Sequence, residues 1–199
     1  DCEKGESDVN LPNKLTIART FAVPFYVVFM IVTDIPLNYL WALIIFIAAS
    51  ATDMIDGKIA RKRGLVTNLG KFLDPLADKI LVSSALICMV ELKWTYSFLV
   101  IIIIAREFMV SALRLAAAGG EEHTVIAAGP WGKVKTAVTM ASVSVITAMH
   151  IFTENIVVLG ENFPVTAISD VLMVLSTLLT IISGIFYVAG YWRVLTEEK

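Results

Sequence analysis

Six long apolar stretches dominate the chain and leave little choice of architecture. They run approximately over 17–33, 37–52, 75–92, 95–118, 134–152 and 165–191. A helix needs about 20 residues to cross a hydrocarbon core of roughly 30 Å. Each stretch reaches that length, approaches it, or can be extended by a turn of mixed sequence. None shows the alternating pattern of a membrane β-barrel, so crossing falls to helices, which satisfy their backbone groups internally. Composition agrees. Of 199 residues, 57 % are hydrophobic and 17 % charged, where soluble domains carry roughly 45–50 % and about 25 %. A disordered chain, a collagen, a disulfide scaffold and an ordinary soluble globule are all excluded. The expected fold is an all-α integral membrane protein of six transmembrane helices.

Charge sets the orientation. The net charge of −2 is too small for a nucleic-acid footprint, so no nucleic-acid partner is expected. Of 16 Lys and Arg, only Lys93 falls in the connections 33–36, 91–95 and 153–164. Basic residues collect instead near Lys14–Arg19, Lys58–Lys71, Arg106–Arg114, Lys133–Lys135 and Arg193. By the positive-inside rule both termini are cytoplasmic, in a multi-pass protein of the cell membrane. Residues 1–9 are polar and aperiodic and read as a tail, native or foreign; the missing initiator Met suggests a processed or engineered end. No cleavable signal peptide is expected, and residues 10–199 read as one membrane domain. Cys88 lies in an apolar run and reads as a buried thiol. Trp41, Trp94, Trp131 and Trp192 lie near span ends, as an aromatic belt predicts. His123 and His150 read as structural, and Asp170 has no assigned role.

Charges inside or at the edge of a membrane need a reason, because each costs several kcal/mol by contested scales. Asp53 and Asp56 are three residues apart and Asp74 and Asp78 four, so each pair shares a helix face. A short turn between the second and third spans would bring both pairs to one cytoplasmic edge. Four clustered carboxylates repel strongly unless cations sit between them. Carboxylate oxygen is the ligand of hard divalent ions, Mg²⁺ above all, and two such ions form a clamp for phosphoryl transfer. Gly57, Ala60 and Gly70 leave room for close approach. Individually the aspartates have plainer readings. Asp74 before Pro75 suits a helix N-cap, and Asp53 or Asp56 could pair with a neighbouring basic residue.

The stretch from Asp53 to Asp78 reads D-x2-D-G-x2-A-R-x8-G-x3-D-x3-D, eight fixed positions over 26 residues. It resembles, without a departure, the signature of the CDP-alcohol phosphotransferases, and the six-span topology resembles that family from Asn10 to the C-terminus. The resemblance implies that Asp53, Asp56, Asp74 and Asp78 hold the metal, two Mg²⁺ or Mn²⁺ ions. It implies that Asp78, at the edge of that site, is the general base on the incoming hydroxyl. Gly57, Ala60, Arg61 and Gly70 would line the cytidine diphosphate site with Asp53, Arg61 meeting a phosphate with its fork of donors. The alcohol would attack the β-phosphate of a CDP-linked lipid and release CMP.

Two further segments narrow the likeness. Asn10–Arg19 resembles the N-terminal segment of the phosphatidylglycerophosphate synthases, a branch of that family. A short interfacial helix there would place Asn13 and Thr16 one turn apart, within reach of the nucleotide. Alternatively Asn13 and Thr16 cap the first helix and Arg19 snorkels to headgroups. Ala105-Arg106-Glu107-Phe108, running on to Arg114, and Gly132–Thr136 resemble the same branch. Arg106, Arg114, Lys133 and Lys135 would together bind a doubly charged phosphate such as glycerol 3-phosphate. Arg114 and Lys133 could instead be interfacial anchors, and Arg106 with Glu107 only an ion pair. The implied partners are CDP-diacylglycerol, glycerol 3-phosphate and membrane lipids, with a homodimer favoured by the likeness. Small residues at Ser111/Ala112 and 116–118 could pack helices or form a dimer face. Two competing readings stand beside this one. One keeps the chemistry with another acceptor such as inositol phosphate. The other is a metal-ion transporter, although such proteins place their sites near the midplane on repeated, broken helices.

Overall fold

The computed structural model describes the backbone of residues 11–63, 68–119, 130–155 and 164–197, and the side chains of 18–52, 79–114, 131–154 and 164–190. Every regular element among them is helical, with no strand. The order is α1 (Leu11–Ile31), α2 (Asn38–Arg63), α3 (Asn68–Glu91), α4 (Ser97–Gly119), α5 (Pro130–His150) and α6 (Val165–Glu197), with a π-helical turn at Ile151–Asn155. Each apolar stretch of the sequence thus becomes one helix. Trp131–Glu154 and Val165–Gly190 are long and apolar enough to cross a membrane, and Ala18–Ile31 and Asn38–Thr52 are shorter apolar helical stretches. α4 is of similar length but carries Arg106, Glu107 and Arg114.

Two expectations are corrected. The N-terminal segment is not a separate interfacial helix: from Leu11 it runs unbroken into α1. Arg19 does not snorkel outward but is buried. The burial of Arg19 follows from its register, since Arg19, Val23, Tyr26 and Met30 recur at helical spacing and form the buried stripe of α1.

The chain divides into two compact units, 1–84 and 85–199. In the first, α1 packs on α2. α1 buries Tyr26 and Met30, and α2 buries a stripe of Tyr39, Ala42, Phe46 and Ala49, with the Tyr26 and Phe46 rings 5.8 Å apart. In the second unit α6 packs on both α4 and α5. Its buried stripe is Ser169, Met173, Ser176, Thr177, Thr180, Ser183 and Tyr187, while Val171, Leu178, Ile185 and Phe186 are exposed. Hydroxyls inward and aliphatic side chains outward is the arrangement that a hydrocarbon solvent favours. Small residues and hydrogen bonds there replace the hydrophobic effect as the reason for helices to associate. Ser142 and Ser176 join α5 to α6 at 3.0 Å. Most other hydroxyls bond back to the carbonyl four residues earlier, as Thr139, Thr147, Thr177 and Thr180 do.

Contacts fix the helix directions in this unit. Lys135 meets Glu107 and His150 stacks on Trp94, so α5 runs antiparallel to α4. Arg106 reaches Ser183 and Arg114 reaches Tyr187, so α6 runs parallel to α4. Lys135 and His150 are fifteen residues apart on α5, about 22 Å at ~1.5 Å per residue. The unit therefore has a charged end and, across most of a hydrocarbon thickness, an aromatic one.

Candidate functional site

The acidic signature lies on two helices. Asp53, Asp56, Gly57, Ala60 and Arg61 belong to α2, and Gly70, Asp74 and Asp78 to α3. On continuous helical backbone the first five fall at i, i+3, i+4, i+7 and i+8, one face of α2. Gly70, Asp74 and Asp78, four residues apart in turn, share a face of α3. The side chains of these eight residues, and of Asn13 and Thr16 on α1, lie outside the described residues. Among the described residues no group of three or more acidic, His or Cys side chains could hold a metal ion.

The second unit describes the other half of the expected site. Arg106 and Glu107 are neighbours on α4, and Lys135 lies in the second turn of α5. The Lys135 ammonium pairs with the Glu107 carboxylate, which also lies 3.8 Å from Arg106 Nη1. Arg106 Nη2 donates to Ser183 Oγ of α6 at 2.7 Å. The side chains are 11 % exposed for Arg106, 22 % for Glu107 and 3 % for Lys135. Two cations share one anion, so the trio keeps one net positive charge in a place where charges persist only when paired or liganded.

Of the four residues expected around an acceptor phosphate, the structure thus brings Arg106 and Lys135 together through Glu107. Arg114 is exposed, its guanidinium carbon 5.4 Å from the centre of the Tyr187 ring. Because Tyr187 is one turn beyond Ser183, Arg106 and Arg114 dock on one stripe of α6. Lys133 is exposed two residues before Lys135, and no described contact ties it to the trio. Arg106 with Glu107 is accordingly more than an isolated ion pair, since α5 and α6 each add a partner.

Sequence reasoning missed Ser183, Gly184 and Tyr187. The signal was there in the seven-residue spacing of Ser169, Ser176 and Ser183 through an otherwise apolar run. It also misjudged Trp94 as a belt residue. At the α3–α4 turn, Lys93 adopts φ 62°. Trp94 N–H bonds to Met89 O and Lys93 N–H to Val90 O, the paired closure of a helix C-terminus. That turn lays buried Trp94 on His150, ring centroids 3.7 Å apart and nearly parallel. His150 Nδ1 donates to Glu154 Oε1 at 2.6 Å across the π-helical turn, which supports the structural reading of His150. Trp41 and Trp131 are exposed as expected, and Cys88 is a buried free thiol.

Comparison with known proteins gives a consistent result. The family model described as CDP-alcohol phosphatidyltransferase matches residues 9–182. A Bacillus subtilis protein named CDP-diacylglycerol–glycerol-3-phosphate 3-phosphatidyltransferase is 40 % identical over 201 residues, covering 96 % of this chain and 99 % of its own length. A Rickettsia bellii protein of the same name is 35 % identical over 185 residues, covering 90 % and 94 %. One from Haemophilus influenzae is 41 % identical over 133 residues, covering 66 % and 71 %.

Proposed function

The chain belongs to the CDP-alcohol phosphatidyltransferase family, and on that footing we propose that it transfers the phosphatidyl group of CDP-diacylglycerol to glycerol 3-phosphate, giving phosphatidylglycerol phosphate and CMP. The observation that carries this reading is the complete signature from Asp53 to Asp78, in a chain similar over nearly its whole length to relatives of that name. The proposal includes six spans in the cell membrane, both termini and the active site on the cytoplasmic side, and a homodimer. The gathering of basic residues at one end of the second unit supports that orientation.

Four carboxylates are a donor set that fits hard divalent cations. Asp53, Asp56, Asp74 and Asp78 would hold two Mg²⁺ or Mn²⁺, which when bound neutralise the diphosphate and the departing CMP. Asp78 takes the proton from the primary hydroxyl of glycerol 3-phosphate. The hydroxyl oxygen bonds to the β-phosphorus as the bond from that phosphorus to the CMP oxygen breaks. Arg61 grips the diphosphate, Gly57, Ala60 and Gly70 leave room for the nucleotide, and Asn13 and Thr16 contact it. Arg106 and Lys135 bind the acceptor phosphate, with Arg114 and Lys133 adding charge at the entrance. Holding both reactants in place supplies much of the acceleration in such transfers.

The test is CMP release from labelled CDP-diacylglycerol in vesicles carrying the protein. Release that requires glycerol 3-phosphate, stops on chelation and returns with Mg²⁺ is the expected result. Release with inositol phosphate instead, or metal flux without CMP, overturns it.

A further inference from the structure

Resting on that reading of Arg106, we propose that Ser183 and Gly184 of α6 form a seat that holds the Arg106 guanidinium in its phosphate-binding pose, which makes them positioning residues for the acceptor. Neither belongs to the acidic signature, and both lie just beyond the residues matched by the family model.

Three observations meet at this seat. Ser183 Oγ accepts a hydrogen bond from Arg106 Nη2 at 2.7 Å and fixes one corner of the guanidinium. Gly184 supplies the space: a Cβ there would lie 3.2 Å from Arg106 Cγ and 3.8 Å from Arg106 Nε. The arginine stem therefore crosses α6 where that helix has no side chain. Finally, Arg106 Nε is buried and has no hydrogen-bond partner among the described residues. A buried donor left unpaired is costly, so an unspent N–H at this position points to a ligand that completes it.

Arg106 and Gly184 both line an open cleft of about 650 Å³ between α4 and α6, whose other walls are Met109, Ile181, Ile185, Val188 and Ala189. Arg106 is the sole charged residue of that lining. Glu107 cannot take over the task of Ser183. It lies 3.8 Å from Nη1, beyond hydrogen-bond reach, and it is already paired with Lys135. An arginine recognises phosphate through the planar geometry of its fork. A seat that fixes the plane therefore sets affinity for the acceptor and leaves the CDP-lipid untouched.

The experiment measures the KM of both substrates and kcat for the full chain in vesicles with Mg²⁺, comparing wild type with Gly184→Ala and Ser183→Ala. An added methyl that shifts the guanidinium by a few tenths of an ångström should raise the KM for glycerol 3-phosphate about tenfold. Loss of the Ser183 hydroxyl should raise it about fivefold. In both variants the KM for CDP-diacylglycerol should stay within about twofold, a split that a merely structural role does not produce. If Gly184→Ala does not fold, Ser183→Ala, which adds no volume, carries the test. An unchanged KM for glycerol 3-phosphate, or an equal rise for both substrates, overturns the seat while the assigned reaction stands. Wild-type protein that releases no CMP with glycerol 3-phosphate overturns the assigned reaction, and the seat with it.

Discussion

The α1–α2 pair and the α4–α5–α6 unit solve the same packing problem with opposite materials. α1 and α2 bury aromatic and aliphatic side chains, Tyr26 against Phe46 among them. α6 buries hydroxyls and turns Leu175, Leu178, Ile181, Ile185 and Phe186 outward. Where hydrocarbon surrounds a helix, burying more hydrocarbon gains little, so association depends on close fit and on polar contacts. The difference teaches where polar chemistry can be accommodated. In the second unit the seam of hydroxyls leads to Arg106, Glu107 and Lys135, and Ser183 belongs to both. In the first, the polar residues of the signature lie beyond the apolar stretch of α2, on its continuation to Arg63, and in the first turns of α3.

The largest expected effect separates chemistry from grip. Asp78→Asn should lower turnover about 10³-fold while binding of CDP-diacylglycerol and the KM for glycerol 3-phosphate largely survive. Comparable turnover in the variant, read by CMP release, would remove Asp78 as the base. Next comes the charged trio. Glu107→Ala removes the anion that the buried Lys135 and Arg106 share, and thermal unfolding in detergent should show a loss of about 3 kcal/mol. Arg114→Ala, at an exposed ring contact, should cost about 0.5 kcal/mol, and equal losses would erase the distinction drawn between the buried trio and the exposed contact. A last pair of variants compares the packing itself. Tyr26→Ala should cost about 2 kcal/mol through the void it leaves. Ser176→Ala, which gives up one interhelical hydrogen bond, should cost about 0.6 kcal/mol. A reversed order would mean that hydroxyl contacts outweigh shape in this protein.

Much of the fold was legible. All six apolar stretches became helices because a membrane-length run of apolar residues has few alternatives. Helix ends were less legible. Apolarity records which residues sit in hydrocarbon, and helical backbone continues past it into polar sequence, as α2 does from Thr52 to Arg63 and α1 in reverse from Ile17 to Leu11. Within the site, the signature was legible as spacing alone. Arg106 and Lys135 stood out as charges in apolar company, whereas their shared partner was ambiguous. Ser183 and Gly184 passed unnoticed because a serine or glycine in an apolar helix has no meaning until its neighbour is known.

By itself the sequence determined the helical architecture and the family. Apolar length, charge placement and motif spacing are properties of one chain read in order. Only the tertiary structure decided that Lys135 answers to Glu107, that Arg106 rests on Ser183 across from Gly184, and that Trp94 turns inward to His150. Each of those joins residues more than 25 positions apart. Which of many possible partners a buried charge, donor or ring finds depends on helix direction and register, which local sequence does not encode.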